Sequence, residues 1–522
     1  MPWMNRRRLI KAAAGVAAGG LGAAAIGLNP GSASAVEVKP AFLLNPFRFG
    51  VSSSPVDNVL WTKLAISLFE SDGRGGMPTG DVRVNWVVAR NRALSDVVAS
   101  GTALAYDVHG HTVHLSVPDL PVNTELFYQF SYSNWRSDVG RMRTFPASTD
   151  GTTPLKIAAA SCANFEHGYF HLYDHIATYN VDLVLMLGDY VYADSYDPAI
   201  RDHLPSRGDC FTLADYRIRH NQYHSDPSER RMRASAPMIA LFDDHEIDND
   251  WAGDVPETPA SAGSAGWWVR RHNGMKAFWE NTPMAMSRQP KNSRIDITGH
   301  HAWGKLASFH LLDTRQFRSD QDSGREEDTN RYLLGPQQRE MLRQNYRGAR
   351  WDFLAQQVVM AGWDPTGAFN VDAWDNYDAE RQRVLGDLVR MGVRNPVVLT
   401  GDVHNAFAQY VSDKNGNRRA VELVTSSITS EGDGERTYGG LGPGTGEIKA
   451  TNDDVLWTSG HRGWMLLDVD YNRINVQWRG TQFVTETGAQ PDRLIASCTV
   501  QDRSMTFSNK TTHIPLMATD WD

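Results

Sequence analysis

The sequence predicts a two-part fold, a small β-sandwich followed by a larger α/β domain. Short strand-like segments separated by Gly, Pro and Asn fill residues 40–147. Beyond Leu155, apolar strand runs alternate with helical spacing, and four of those runs end in clusters of polar side chains. We therefore expect a β-sandwich domain over residues 36–148 and an α/β domain over 154–522, with a linker between them.

The first 35 residues are predicted to be an export signal rather than part of either domain. Three arginines at positions 6–8 precede Leu9, Ile10 and Lys11, which is the pattern of a twin-arginine signal. An Ala/Gly-rich apolar stretch follows, and small residues at 33–35 form a cleavage site. A membrane anchor is the alternative, but the stretch is short, and no later segment is apolar enough for a stable membrane span. We expect export by the twin-arginine translocation machinery to a secreted, extracellular or cell-wall-associated location.

Composition and charge narrow the class of protein. Hydrophobic residues make up 41% of the 522 residues and charged residues 22%, values typical of a folded chain and not of a disordered one. The formal net charge of -9 argues against a nucleic-acid scaffold role. It does not exclude a phosphate-bearing substrate, because bound cations reverse the local field. The cysteines, Cys162, Cys210 and Cys498, permit either a Cys210–Cys498 disulfide or three reduced thiols.

The two domains differ in the pattern of their predicted elements. Segments of the first domain have strand composition or alternate apolar with polar residues. The second domain has apolar runs typical of buried strands and a segment with helical spacing at residues 170–179. The strands predicted in the first domain are Phe47–Val51, Val59–Leu64, Val82–Val88, Thr112–Val117 and Leu126–Tyr132. Those predicted in the second are Ile157–Ala160, Val181–Leu187, Met238–Phe242, Leu306–Leu312, Val358–Gly362 and Val397–Thr400.

Polar clusters follow four of the predicted strands of the α/β domain. In open α/β sheets, ligands bind outside the carboxyl ends of the strands, so we expect these clusters to meet at one rim of the sheet. One cluster alone is weak evidence. Four at the same structural position indicate a polynuclear metal site, because carboxylates buried together need cations between them. The clusters are Ser161–Cys162, Gly188–Tyr192, Asp243–Asp250 and Gly401–Asn405.

The cluster after the second of these strands is predicted to supply a bridging ligand. Asp189 has two carboxylate oxygens and can hold two metals close together, and Gly188 permits the sharp turn before it. Tyr192 lies three residues further on, and a phenolate binds ferric iron well once the metal has removed its proton. Taken alone, Asp189 would equally suit a helix cap and Tyr192 a position in the core.

Further ligands are predicted from the first and last clusters. The thiolate of Cys162 would bind iron or zinc, although most free cysteines are small buried hydrophobes. Asp402 and His404 are two residues apart, so in an extended segment they point the same way and serve one metal or two neighbouring ones. The alternative for this pair is a turn with a surface histidine.

The dense polar run after the third strand offers several roles that the sequence leaves open. Asp244 is the favoured metal ligand, and His245 is either the general acid that protonates the leaving alkoxide or a ligand itself. Glu246 and Asp248 are candidates for orienting a histidine, and Asn249 for giving an oxygen to a hard cation such as calcium. A solvated acidic loop is the alternative.

Cationic side chains are expected to hold the substrate's phosphate. Arg217 and Arg315 both lie beside polar partners in the sequence and are the candidate phosphate-binding residues. His220 joins Asp244 and His245 as a candidate catalytic residue. Ion pairing on helices is an equally good interpretation of the two arginines.

The combined motifs resemble the PhoD-type alkaline phosphatase and phosphodiesterase family of the metallophosphatase superfamily, which includes a secreted actinobacterial phospholipase D. The resemblance covers nearly the whole chain that follows the signal. The matching stretches are Ser161–Cys162, Glu166–Tyr169, Gly188–Tyr192, Asp215–Arg217, Asp243–Glu246, Leu312–Gln316, Leu399–His404 and Arg462–Trp464.

The resemblance implies a metallophosphatase-like catalytic domain behind an immunoglobulin-like β-sandwich. It also implies a centre of one Fe3+ with Ca2+, or of iron with another divalent metal. The ligand motifs of the family fall on Cys162, Asp189, Tyr192, Asp402 and His404.

We therefore expect a metal-dependent hydrolase of phosphate mono- or diesters that acts through a metal-activated hydroxide. Its substrate would be a small phosphate ester, a teichoic-acid-like polymer or a phospholipid. One alternative is a phospholipase D, which would need an apolar landing surface; Trp251, Trp267 and Trp268 are candidates for it, although at least two are expected in the core. The other is a non-catalytic, secreted, metal-stabilised protein that binds the cell wall.

Overall fold

The computed structural model describes most of the chain beyond the predicted export signal, which lies outside the described residues. Within the described part, none of the helices has the length and apolar character that a bilayer span requires. The described residues are 44–196, 200–205, 208–258, 265–363, 370–433, 449–450, 452–504, 506–515 and 518–521.

The N-terminal part folds into two antiparallel sheets that share one apolar core, as expected for a β-sandwich. Leu60 and Val113 from the first sheet meet Val84 and Leu126 from the second in that core. The first sheet contains β1 (Val51–Ser54), β2 (Val59–Lys63) and β5 (Thr112–Ser116). The second contains β3 (Val82–Ala89), β4 (Val97–Ala105), β6 (Glu125–Tyr132), β7 (Trp135–Arg136) and β8 (Gly140–Arg143).

The C-terminal part is built on two seven-stranded sheets. The first contains, in spatial order, β11 (Met238–Leu241), β10 (Leu183–Leu187), β9 (Leu155–Ala160), β19 (Gly463–Val469), β20 (Arg473–Gly480), β21 (Arg493–Gln501) and β22 (Phe507–Thr512). The second contains β12 (Gly299–Trp303), β13 (Ala307–Leu311), β14 (Trp351–Ala355), β15 (Pro396–Thr400), β17 (Arg418–Val424), β16 (Ala406–Ser412) and β18 (Val455–Ser459). Strands β9 to β11 are parallel, as are β13, β14, β15 and β17, so their carboxyl ends point the same way within each sheet.

The two large sheets bury their facing sides in a shared core, and helices cover the outer sides. Phe353 of β14 belongs to the shared core, whereas its neighbour Leu354 packs in a separate cluster with residues of α5 and α6. This alternation is the normal consequence of the two-residue period of a strand. The helices are α1 (His171–Thr178), α2 (Leu213–Ser225), α3 (Pro227–Ser235), α4 (Ala265–Asn281), α5 (Gly335–Asn345) and α6 (Asp378–Arg390).

Two expectations about the strands need correction. The run predicted as a strand at Val358–Gly362 is a buried loop, and the strand is β14, which pairs with β13 and β15 on its two sides. The four polar clusters also do not meet at the rim of one sheet. Three follow strands of the first sheet, while Gly401–Asn405 follows β15 of the second, so the clusters converge between the two sheets.

Candidate metal centre

Asp189 stands at the middle of the converging strand ends and belongs to two groups of candidate ligands. Cys162, Asp189 and His404 form one group, and Asp189, Asp244 and His245 form the other. Within each group, one ligand atom from every residue lies within 4.8 Å of the others. A carboxylate shared between two such groups has the geometry of a bridge between two cations.

The backbone at several of these ligands is left-handed. The φ angles are +58° at Cys162, +52° at Asp189, +65° at Asp402 and +56° at His404. Residues other than glycine rarely adopt this conformation, and it persists where the surrounding structure enforces it, often at functional sites. Each of these residues follows a strand within a few positions, so the strained backbone is concentrated where the strands end.

Tyr192 lies between Asp189 and His404, two members of the first ligand group. Its hydroxyl lies 3.1 Å from Oδ2 of Asp189 and 3.2 Å from Nε2 of His404, and it accepts a hydrogen bond from the Ser430 hydroxyl at 2.6 Å. Burial, and after it the charges of Asp189 and Cys162, raises the pKa of Tyr192 well above its ordinary value. A cation at this point would favour the phenolate and offset that cost.

Two carboxylate oxygens of the centre lack the hydrogen-bond partner that burial normally demands. Oδ1 of Asp189 and Oδ1 of Asp244 are buried and have no hydrogen-bond partner among the described residues. Burial, followed by neighbouring carboxylates, raises the pKa of Asp189 well above its ordinary value; burial and the charges of Asp243 and Asp372 do the same for Asp402. Unpaired buried carboxylates are costly, so this donor set fits bound cations and is poorly suited to their absence.

His245 is held at the edge of the second ligand group. Its Nδ1 lies 2.9 Å from a carboxylate oxygen of Asp194, and its ring stacks on Tyr192 with centroids 4.2 Å apart. Burial opposes protonation of His245, but the carboxylates of Asp244 and Asp189 outweigh it and raise the pKa of the imidazole. Asp194 is therefore the carboxylate that orients His245. Asp248 lies one step further away, because Arg270 pairs with both Asp248 and Asp194.

The remaining residues of the acidic run support the loop. Both carboxylate oxygens of Glu246 accept backbone hydrogen bonds, from Asp243 at 2.8 Å and from Tyr190 at 2.6 Å, which ties the ends of β10 and β11 together. The side-chain amide of Asn249 donates to Glu257 at 3.0 Å.

Arg315 is buried beside the centre, but its guanidinium is already paired. It makes two hydrogen bonds to Asp372, at 2.6 and 2.5 Å, another to Asp243, and lies 3.6 Å from Asp244. This geometry disagrees with the expectation of a phosphate-binding arginine, because carboxylates occupy the donors that phosphate would need. Arg315 instead balances part of the negative charge around Asp243 and Asp244.

Arg217 and His220 are not brought to the centre. Arg217 makes a bidentate pair with Glu280, at 2.7 and 2.6 Å, and donates to the carbonyl oxygen of Val108 in the β-sandwich. His220 is buried on α2 with its ring centroid 5.9 Å from that of His224, and neither ring nitrogen has a hydrogen-bond partner among the described residues. Neither side chain contacts a ligand of the centre within the described part of the chain, so the ion-pairing interpretation fits Arg217.

Like Asp194, two further residues near the centre were not predicted from the sequence. Glu431, in the loop after β17, lies with Oε1 3.6 Å from Nδ1 of His404. His167 accepts a hydrogen bond at Nδ1 from the backbone N–H of Glu431 at 2.9 Å, and burial, with the charge of His404, lowers its pKa to about 4. His167 stands in a stretch quoted for the family resemblance, which was the available signal; Glu431 follows an apolar strand without any recognised motif.

The cysteines are all unpaired. Cys162, Cys210 and Cys498 are buried, and no disulfide joins them. Burial, then the charge of Asp189, raises the pKa of the Cys162 thiol well above its ordinary value. A metal ion is therefore what would bring this thiol to its thiolate form.

Comparison with known proteins agrees with this architecture. The family model described as PhoD-like phosphatase matches residues 157–478, and that of the PhoD-like phosphatase N-terminal domain matches residues 32–146. The chain is 34% identical over 514 residues to alkaline phosphatase D of Bacillus subtilis, covering 93% of this chain and 86% of that protein.

Solved structures give the same picture. A structure of PhoD superposes with a TM-score of 0.84 and 32% identity, covering 91% of this chain and 94% of that one. The purple acid phosphatase PPD1 from yellow lupin (Lupinus luteus) seeds superposes with a TM-score of 0.51 over 87% of this chain and 73% of its own, at 12% identity, which shows a shared fold alone.

Proposed function

This chain belongs to the PhoD-like phosphatase family and is a phosphoric ester hydrolase, and from that premise we propose a secreted alkaline phosphatase/phosphodiesterase that uses Fe3+ together with Ca2+ or another divalent metal. The observation that carries the proposal is the position of Asp189 in two ligand groups at once. Asp189 would hold a cation in each group, and cations held by one carboxylate would be near enough to act on a single phosphate group.

The donor types suggest how the cations divide between the two groups. Cys162, Tyr192 and His404 offer a thiolate, a phenolate and an imidazole, which suit iron. In the second group, Asp244 offers a carboxylate oxygen. Burial raises the pKa of the half-buried Asp402, and Asp243 and Asp244 are close enough for their charges to raise it further. Carboxylate oxygens of this kind suit calcium. When bound, the cations supply Lewis acidity, which draws charge from the phosphoryl oxygens and makes water acidic enough to attack near neutral pH.

The chain itself supplies orientation and a proton. Asp194 holds Nδ1 of His245, which leaves the opposite nitrogen, Nε2, free for the substrate. A protonated Nε2 is not a metal ligand, so in this role of His245 the second cation would be held by Asp189 and Asp244. In the hydrolysis, the oxygen of water forms a bond to phosphorus, the bond from phosphorus to the ester oxygen breaks, and Nε2–H of His245 gives its proton to that ester oxygen. The attacking water releases one proton to solvent, and His245 regains a proton from solvent, so the catalyst returns to its starting state. Arg315 keeps Asp243 and Asp244 in place through its ion pairs and does not leave them to contact substrate.

The substrate is proposed to be a small phosphate ester or a teichoic-acid-like diester. A phospholipid remains the second candidate, but it needs an exposed apolar surface. Trp251 and Trp267 are 0% and 3% exposed and lie in the core, so they do not provide it; Trp268 is only partly buried against that core. Export by the twin-arginine machinery is proposed from the signal pattern in residues 1–35.

The test is an ester assay coupled to metal analysis on the purified, metal-loaded chain. We expect turnover of p-nitrophenyl phosphate, of its bis-ester, or of both, together with bound iron and calcium. The ratio of the two kcat/KM values ranks monoesterase against diesterase activity. Full occupancy by metals without turnover of either ester would contradict the proposal and favour the non-catalytic binding protein.

A further inference from the structure

His167 is an unassigned side chain at the margin of the metal centre. It ends the 3-10 turn Phe165–His167, which begins three residues after Cys162. Asn164 caps this turn by accepting the backbone N–H of Glu166 at 2.8 Å, so the turn has a fixed start. The same stretch of chain therefore carries both a ligand of the centre and His167.

The protonation pattern of the His167 ring follows from its hydrogen bond. The backbone N–H of Glu431 donates to Nδ1 at 2.9 Å, and an amide N–H is always a donor. Nδ1 is thus the acceptor, and the neutral ring carries its proton on Nε2. Among the described residues, Nε2–H has no hydrogen-bond partner, and it is not one of the buried unpartnered atoms, so it reaches solvent.

Contacts on both sides hold the His167 ring near the two ligand groups. Glu431, which fixes Nδ1, lies 3.6 Å from His404 through its carboxylate. The ring of Tyr196 packs against His167 with centroids 5.6 Å apart, and the Tyr196 hydroxyl lies 3.4 Å from Nδ1 of His245. His167 therefore contacts Glu431, a neighbour of His404, and Tyr196, a neighbour of His245.

This arrangement distinguishes a hydrogen-bond donor from a metal ligand. A nitrogen that carries a proton has no lone pair for a cation, and His167 belongs to neither ligand group. The two arginines that were candidates for phosphate are paired with Asp372 and with Glu280. The substrate still has non-bridging oxygens that need donors as charge develops on them.

We propose that Nε2–H of His167 donates a hydrogen bond to a phosphoryl oxygen of the substrate. The inference rests on the proposed function, because it assumes that a phosphate ester binds at this centre. It makes His167 a catalytic residue in the strict sense, one that touches the reacting phosphoryl group.

Two amide substitutions separate the two ring nitrogens. In His167→Asn, the side-chain amide takes the position of Nδ1 and retains the acceptor for Glu431 but loses the donor at Nε2. In His167→Gln, the longer side chain places an amide N–H near the position of Nε2. We expect the Asn variant to lose about 100-fold in kcat/KM for p-nitrophenyl phosphate, the lower end of the effect of one oxyanion donor, and the Gln variant to recover part of it.

Readouts other than turnover complete the experiment. We expect inorganic phosphate to inhibit His167→Asn more weakly than the wild type. The iron and calcium contents of the variant should equal those of the wild type. His171→Asn is the matched control, because His171 bonds the backbone carbonyl of Glu486 on the exposed side of α1. It should leave kcat/KM and phosphate inhibition unchanged.

Each result decides between alternatives. Wild-type kcat/KM and phosphate inhibition in His167→Asn would overturn the inference, and so would a loss of bound metal, which would make His167 a ligand. If the wild-type protein hydrolyses no ester, the proposed function fails, and binding of inorganic phosphate to the metal-loaded wild type and variant still tests His167: equal affinities overturn its role. If the Asn variant does not fold, a Gln variant with no phosphate inhibition would count against the donor.

Discussion

Asp189 occupies a position where one side chain serves two ligand groups, so its replacement should affect both. In Asp189→Asn one charged bridging oxygen becomes a neutral amide nitrogen that cannot bind a cation. We expect activity toward p-nitrophenyl phosphate to fall by more than the roughly 100-fold that losing an outer partner of a ligand costs, and the content of both metals to drop, as measured by assay and elemental analysis. The exposed Asp138→Asn is the control and should change neither quantity. Full activity with full metal content would contradict the bridging role.

Cys162 provides a second test at the level of one residue, with a spectroscopic readout. Its thiol is buried against Asp189, and only a metal would keep it as a thiolate. We expect Cys162→Ala to lose the iron and the visible charge-transfer absorption, measured on the purified protein. Cys498→Ala, which removes a buried thiol from β21, should retain both. A Cys162→Ala variant that keeps its iron and its colour would exclude Cys162 as a ligand.

At this scale the structure brings most of the predicted ligands together, whereas it pairs the two candidate phosphate-binding arginines with carboxylates. Cys162, Asp189, Tyr192 and His404 were predicted because each follows an apolar strand, and strand ends converge by topology. Arg217 and Arg315 also stand beside acidic residues, but adjacency in sequence does not tell which carboxylate from another element will claim the guanidinium. Their partners, Glu280 and Asp372, lie 63 and 57 residues away along the chain.

At the scale of elements, the centre depends on how closely β9 of one sheet approaches β15 of the other. Gly401 follows β15, and a Cβ atom placed on it would lie 2.7 Å from both Cβ and Oγ of Ser161, which follows β9. A side chain at position 401 cannot be accommodated unless the backbone moves, because an approach of 2.7 Å is shorter than van der Waals contact. The absence of a side chain at Gly401 therefore sets the spacing of Cys162 and Asp402.

Gly401→Ala should accordingly separate the two strand ends. We expect a loss of about 1–3 kcal/mol in the free energy of unfolding from overpacking, and weaker binding of metal, measured by denaturant titration and by metal competition. Gly386→Ala on α6 is the control, because its Cβ would meet only the flexible end of Arg390 and alanine favours a helix by about 0.5–1 kcal/mol. Unchanged stability and metal affinity in Gly401→Ala would show that the strand ends have room to separate.

Elements were predicted where one pattern dominated and missed where two patterns compete. Buried strands such as β10 and β15 are continuous apolar runs and were predicted within about two residues. Strand β4 was missed because its residues are mostly exposed or half-exposed, and the small residues Ala99 and Ala103 that pack on the core give a weak apolar pattern. The run at Val358–Gly362 is apolar because it is buried beneath the second sheet, and burial alone does not make a strand.

At the scale of the whole molecule, the β-sandwich is anchored in the catalytic part by polar as well as apolar contacts. Lys63, at the end of β2, lies with Nζ 2.6 Å from Oδ1 of Asn221 on α2 and 3.3 Å from Oδ1 of Asn281 on α4. The indole N–H of Trp61 donates to the carbonyl oxygen of Glu280 at 2.9 Å. These buried hydrogen bonds hold the β-sandwich in a defined position against α2 and α4.

Lys63 makes the stability of that joint depend on pH. Burial lowers the pKa of Lys63 from 10.5 to about 7, so between these values the folded protein binds fewer protons at this site than the unfolded chain. Its contribution to stability is present above pH 10.5 and is lost as the pH falls toward 7. Relative to Lys63→Met, the wild type should lose up to about 1.4 kcal/mol per pH unit in this window.

Denaturant unfolding of the wild type and of Lys63→Met at pH 7, 8, 9 and 10 measures this effect. The expected result is a difference in the free energy of unfolding that changes steadily with pH in favour of the wild type at high pH. A difference that stays constant across the range would mean that Lys63 keeps its ordinary pKa in the folded protein.

Three thiols without a crosslink bear on where such a chain is able to mature. The three described thiols form no disulfide, so this fold does not depend on an oxidising compartment to close it. In the proposed function, cations would take the place of such crosslinks, because each would hold side chains from separate strand ends together. The supply of those ions during biogenesis would then matter more to the molecule than redox conditions.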